Sequence, residues 1–303
     1  MIQKPTVVVL GAGASLEYGF PSGWELVHLL SIADQAGNLS GPMAQLLALG
    51  YPENDVRQFA QALRLSGRPS VDAFLEHRPN FLEIGKAAIA AALIPRESQF
   101  NLFAPPHGKK SLYGYFWEKM NAKPHQFAQN QVKFITFNYD RSLEEYLSTA
   151  MSNSFGLTRF ETAEILGQIS INHVHGTLGN HPAFHAERTR EYQSDYTLTE
   201  LTLAAGEVRI IHEQNAESEA FLYARATLYN AEQIVFLGFG YDQTNLERLK
   251  VRSIPVGAHI YGTAFGLSDI ERASVEARFD RRITLGERED DAHAFMRETV
   301  QLQ

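Results

Sequence analysis

Cysteine is absent from all 303 residues. That excludes disulfides, a thiol nucleophile and every zinc site built on cysteine, and it fits a reducing compartment. A basic excess is missing too. Lysine and arginine number 27 against 35 aspartates and glutamates, a formal charge of −8 with a pI near 5.8. Binding nucleic acid regardless of sequence needs a net basic surface, so no direct nucleic-acid binding is expected. Lys109 and Lys110 read as part of a solvated loop. The chain opens on no basic, apolar and small-residue series of signal-peptide type, and its apolar runs fall well short of the ~20 residues a membrane helix needs. A soluble cytoplasmic protein with no membrane partner is the expectation. No internal repeat, low-complexity run or long linker interrupts the chain.

What is present suffices for a full core, since 44% of the residues are hydrophobic. The stretch Thr6 to Trp24, TVVVLGAGASLEYGFPSGW, organises the rest. Thr6 to Leu10 is a short apolar, β-branched run that stops at glycine, which reads as a buried strand ending in a tight turn. Gly11 and Gly13 carry no Cβ, so the backbone can turn sharply and face its N–H groups toward a phosphate or ribose. Pro21, Ser22 and Gly23 lead into a helix from about Trp24 to Ala36. A dinucleotide fingerprint wants G-x-G-x-x-G, and Leu16 stands where its third glycine would be, which weakens an ordinary dehydrogenase reading.

Residues 38 to 130 read as mainly helical, with helices over Asn54–Leu65, Ser70–His77 and Phe81–Leu93, the last ended by Pro95. Pro105, Pro106 and Gly108 mark a loop before an aromatic cluster at Tyr113, Tyr115, Phe116 and Trp117, most of it core. This is a helical insertion, a lid or small subdomain over the first turn. Val132 to Phe137 restores a strand, and Asn138-Tyr139-Asp140 follows where it meets a helix over Arg141–Ala150. Carboxyl ends of strands bind ligands in open α/β sheets, although either polar residue could instead cap the helix. Ile169 to His175 alternates as a strand that would put Ile169, Ile171, His173 and His175 on one face, broken by Gly176. Histidines 173, 175, 181 and 185 have no helical i, i+4 pair or carboxylate framework, so no metal site is expected.

Further along, Thr197–Ala205 reads as a helix, Val208–His212 as a strand and Glu217–Ala231 as a helix. Ile234–Leu237 is a buried strand ending in Gly238-Phe239-Gly240-Tyr241-Asp242, with a helix over Thr244–Lys250 beyond it. Ala258–Thr263 is a strand, Ser268 and Glu271 make a capping box for the next helix, Arg282–Leu285 is an edge strand, and Asp290–Val300 a final helix.

Four stretches thus share one position, the end of a strand: Gly11 to Ser15, Thr136 to Asp140, His175-Gly176, and Gly238 to Asp242. Their order and chemistry resemble the sirtuin superfamily over residues 7 to about 265. In sirtuins a G-A-G-x-S loop holds the NAD phosphates and ribose, a T-x-N-x-D supplies an asparagine and an aspartate beside the nicotinamide ribose, and an H-G supplies the catalytic histidine. This chain has GAGAS, TFNYD and HG. The resemblance implies catalytic roles for Asn138, Asp140 and His175, and NAD+ contacts from Gly11, Ala12, Gly13, Ala14, Ser15, Pro21, Thr136, Gly238, Gly240 and Asp242. Deacylase sirtuins carry a four-cysteine zinc module and an arginine after the loop's proline, whereas Ser22-Gly23-Trp24 follows Pro21 here. That ending and GFGYD look like the bacterial sirtuin-like branch of anti-phage defence systems, NAD-consuming hydrolases often assembled with a second protein such as a HerA-type ATPase or an Argonaute-type module.

The resemblance therefore implies an NAD+ hydrolase releasing ADP-ribose and nicotinamide, without zinc, the effector subunit of a defence system. It is expected to form a homo-oligomer, with any HerA-type partner a separate polypeptide. The expected fold is α/β, a Rossmann-like parallel sheet with helices on both faces and the insertion at 38–130 inside a single domain, 1–303. Cleaving the nicotinamide–ribose bond leaves an oxocarbenium-like sugar. Neutral His175, with an unperturbed pKa of about 6.5, can act as the base toward a ribose hydroxyl or water. Asn138 can orient the ribose or the water, and Asp140 can steady the loop by hydrogen bonding. The alternatives are a zinc-free protein deacylase or ADP-ribosyl transferase, and a non-catalytic subunit that senses NAD or ADP-ribose.

Overall fold

A short strand buried at every position demands cover on both faces, and the first strand, β1 (Thr6–Leu10), is buried throughout. Val8 and Leu10 pack into one core, Val7 and Val9 into a second on the opposite face. The computed structural model describes residues 1–31, 39–104, 110–210 and 218–302. Its sheet continues with β2 (Val132–Thr136), β3 (Ile171–His173), β4 (Gln233–Leu237), β5 (His259–Gly262) and β6 (Ile283–Leu285). The six strands lie in the order β3-β2-β1-β4-β5-β6, and every pairing is parallel. The order reverses between β1 and β4, so a crevice opens beyond their carboxyl ends. This is the Rossmann-like arrangement.

Before β2 come α1 (Gly23–Ser31), α2 (Pro42–Ala48), α3 (Glu53–Leu65), α4 (Val71–Leu75), α5 (Leu82–Leu93), α6 (Gln99–Phe103) and α7 (Leu112–Lys119). Between β2 and β4 lie α8 (Ser142–Phe155), α9 (Arg159–Leu166), α10 (Leu198–Glu207) and α11 (Glu219–Tyr229), and after β4 come α12 (Gln243–Leu249), α13 (Asp269–Arg278) and α14 (Ala292–Glu298). Alanines 87, 88 and 90 to 92 leave α5 slim enough to bury against α2 and α10. One hydrophobic cluster runs unbroken from Leu10 and Phe134 of the sheet to Phe59, Ile89 and Phe116 of the helical region.

Two readings of the sequence need correction. The strand expected over Ile169–His175 is paired only at Ile171–His173, and the chain turns before His175. At Val208–His212 the described part makes a single antiparallel bridge, Val208 to Gly176, and residues 211 and 212 lie outside the described residues. The continuation of α1 to Ala36, the loop at Pro105, Pro106, Gly108 and Lys109, and Glu217 also lie outside them. α9 was not expected, yet Thr158 and Glu161 form a capping box at its start.

Candidate active site

β1 ends at Leu10, Gly11 follows, and a 3-10 helix over Ala12–Tyr18 takes the place of a wide loop. The glycines are needed because two chain segments nearly touch. A Cβ on Gly11 would stand 2.5 Å from the Gly238 oxygen, and one on Gly13 2.7 Å from the Gly238 Cα. Gly238 itself has φ +56° and backs onto the Ala14 nitrogen. Hydrogen bonds seal the contact, from the Gly11 N–H to the Leu237 oxygen and from the Gly13 N–H to the Gly238 oxygen, each 2.9 Å. The turns after β1 and β4 are thus interlocked at the point of strand-order reversal. Beside them Gly13, Ala14, Leu16, Glu17, Gly238, Thr263, Phe265 and Asp291 line a cavity of about 230 Å³. That is below the volume of a typical drug-sized pocket.

Asn138 reaches this turn from β2. Its carboxamide nitrogen donates to the Gly11 oxygen and to Ser15 Oγ, both 3.0 Å away, and its own N–H donates to Thr136 Oγ1 at 3.0 Å. Asp140 lies deeper in the same group. Ser142 Oγ donates to it, as does the Ser142 N–H at 3.2 Å, and Tyr113 Oη lies 3.0 Å from Ser142 Oγ. Since the Ser142 hydrogen is committed to Asp140, the phenol donates to the serine, giving a relay from Tyr113 through Ser142 to Asp140. Burial raises the Asp140 carboxyl above its ordinary value, opposed by hydrogen bonds from Ser142 and Ser15. Gly11, Ser15, Thr136, Asn138 and Asp140 therefore form one cluster.

His175 belongs to another. Its ring sits 5.5 Å from Phe137, 6.2 Å from Tyr139 and 6.2 Å from Phe221 of α11. Among the described residues no hydrogen bond joins the His175 and Asn138 side chains. His175 is 5% exposed, and its Nδ1 has no hydrogen-bond partner. Burial lowers its pKa, holding the ring neutral, while Asp72 and Glu76 pull it upward and Arg248 downward. Tyr139 donates to Asp72, and Arg248 pairs with Glu76 at 2.8 Å, so α4 of the helical region is fastened beside this ring.

The remaining expected residues scatter. Ala12 begins the 3-10 helix, and Pro21 precedes α1, whose first turn is closed by reciprocal Ser22 and Glu25 bonds. Gly240 is exposed with open space around it, and Asp242 caps α12 through the Asn245 N–H at 3.1 Å. A clamp behind the site lay outside what the motifs mark. Arg141, fully buried, pairs with Glu97 at 2.8 Å and binds the Arg190 carbonyl at 2.6 Å, while Arg190 also pairs with Glu97. An arginine directly after Asp140 was the one available signal. Among the described residues no three histidine, aspartate or glutamate side chains group as metal ligands. No protein-family model matches the chain, and no curated protein matches it significantly.

Proposed function

We propose that this chain binds NAD+ in the crevice beyond β1 and β4 and hydrolyses its nicotinamide–ribose bond. The observation that carries this reading is the Asn138 carboxamide, which bridges 127 residues of sequence to grip the Gly11 carbonyl and Ser15. Helix capping does not account for it, because α8 starts at Ser142 with Arg141 as its N-cap and no side chain caps it. In the reaction the C–N bond breaks, nicotinamide leaves with the bonding electrons, and a water oxygen bonds to the ribose carbon. The water's proton passes to neutral His175, whose burial-lowered pKa suits a base. Turnover requires the Phe137, Tyr139 and Phe221 shell to open so that ribose reaches both His175 and Asn138. The anti-phage role, the homo-oligomer and a separate HerA-type partner rest on the motif resemblance.

A second reading, a subunit that binds NAD+ or ADP-ribose without turnover, is favoured by the enclosure of His175, 5% exposed among Phe137, Tyr139 and Phe221 and joined to Asn138 by no hydrogen bond among the described residues. One experiment decides between them. Purified protein is incubated with NAD+, alone, with the protein encoded beside it and with an acetylated peptide, and nicotinamide is followed by chromatography while binding is measured by calorimetry. Release that falls by about 100 to 10,000-fold in His175→Ala supports hydrolysis. Saturable binding without release supports the sensor, release only with an acetylated peptide supports a deacylase, and no binding sinks all three.

A further inference from the structure

We propose that His173 is a positioning residue, held as an imidazolium between two acceptors so that it fixes the Asn138 peptide and, through it, the grip on the glycine turn. Its Nδ1 lies 2.9 Å from the Asn138 carbonyl oxygen and its Nε2 lies 2.6 Å from Glu144 Oε1. A peptide carbonyl only accepts, so Nδ1 carries a hydrogen. A carboxylate also only accepts, so one further proton must lie between Nε2 and Glu144. Burial alone would push the ring toward neutrality, but the Glu144 charge and hydrogen bond, the Asn138 carbonyl and Asp140 together raise its pKa. Burial likewise pushes Glu144 up, and His173, together with His181 and a backbone hydrogen bond, draws it down. Both directions put the proton on the ring.

The titratable groups around the ring are Glu144 from α8, Asp140 from the turn after β2, and His185, its pKa lowered by burial, from the loop beyond Gly176. His181, on that same loop, bears on Glu144 but is itself held by Glu145 at 2.9 Å. When the ring loses its proton it can satisfy only one acceptor, and a bare nitrogen then faces the oxygen of the other. The Asn138 peptide loses its fixed partner, and the contact with Gly11 and Ser15 loosens. Nucleotide affinity then falls on the alkaline side. This last consequence rests on the NAD+ reading of the site, whereas the state of the ring does not.

The test uses the full chain labelled with ¹⁵N-histidine, the His173 signal being identified by its loss in His173→Gln. Both ring nitrogens should be protonated at pH 7, and titrating them should loosen the Gly11 to Ser15 amides in hydrogen exchange. NAD+ affinity should fall about tenfold or more through the same titration, the worth of a charged hydrogen bond. In Glu144→Gln the new amide can donate to Nε2 of a neutral ring whose Nδ1–H still holds Asn138, so the alkaline loss should vanish. A merely structural tie would weaken binding in that variant at every pH. A bare ring nitrogen at pH 7, or glycine-turn amides indifferent to the titration, overturns the proposal. If NAD+ does not bind at all, the hydrolase reading fails and the ring titration with amide exchange still decides the role of His173.

Discussion

Carboxylates and imidazoles removed from water need partners, and the two buried sites differ in whether they have them. Glu97 is enclosed by Arg141 and Arg190, all three side chains fully buried. Glu97→Ala leaves two buried guanidinium groups without a counter-charge, and should destabilise the fold by about 3–5 kcal/mol in urea titration. A loss below about 1 kcal/mol would mean that water reaches the pair. His175 is the opposite case, a buried ring with a bare Nδ1 and a lowered pKa. Below the unfolded value of about 6.5 the unfolded chain takes up a proton that the native ring refuses, so its contribution to stability is present above that pH and is lost as pH falls. His175→Phe, which suits the surrounding aromatic shell, removes this sensitivity. Its stability relative to the parent should rise by about 1.4 kcal/mol per pH unit below 6.5, until the native ring also protonates. Urea titrations at two pH values, one on each side of 6.5, measure this, and equal differences at both would show the ring to be solvated.

At the level of elements, the interlock of the turns after β1 and β4 gives the sharpest expectation. Gly238→Ala combines a left-handed backbone with a Cβ driven into the Ala14 nitrogen. Strain of about 1–2 kcal/mol and overpacking of about 1–3 kcal/mol should together remove about 2–5 kcal/mol, read by thermal or urea unfolding. Gly240→Ala, with nothing near its Cβ, should stay within about 0.5 kcal/mol of the parent. A Gly240 variant that folds normally but loses NAD+ would mark that glycine as a nucleotide contact. The strands and their helices were legible because β-branched runs stop at glycine and Ser268-x-x-Glu271 announces a helix. The same capping pattern at Thr158-x-x-Glu161 marked α9 and went unused. Asn138 was legible as a strand-end residue. The surroundings of His175 were not, because alternation holds only while pairing lasts, and β3 stops at His173. Nor could sequence show that Arg141 is buried, since burial there is created by Glu97 and by carbonyls about 40 and 50 residues further on.

Across the whole molecule, the question is whether the helical region before β2 stands apart from the sheet. Its side chains Phe59, Phe74, Ile89 and Phe116 share a core with Val8, Leu10, Val235 and Leu237. Polar ties run the same way, from the Tyr113 N–H to Tyr18 Oη at 2.9 Å and from the Leu112 N–H to Glu17 at 2.9 Å. Separating the region would therefore expose one face of the sheet and strip the glycine turn of its neighbours. Such a region should not melt alone. The chain has two tryptophans, and Trp24→Phe leaves Trp117, which packs between Phe127 at 5.5 Å and Phe155 at 6.4 Å, as the sole indole reporter of this part. In that variant the urea midpoint from Trp117 fluorescence should coincide with the midpoint from far-ultraviolet circular dichroism, which follows helices throughout the molecule. An earlier fluorescence transition, with most of the helical signal intact, would make the region an independent lid that opens without unfolding the sheet. Coincident midpoints would confine any opening over the crevice to local movements, such as release of Tyr139 from Asp72.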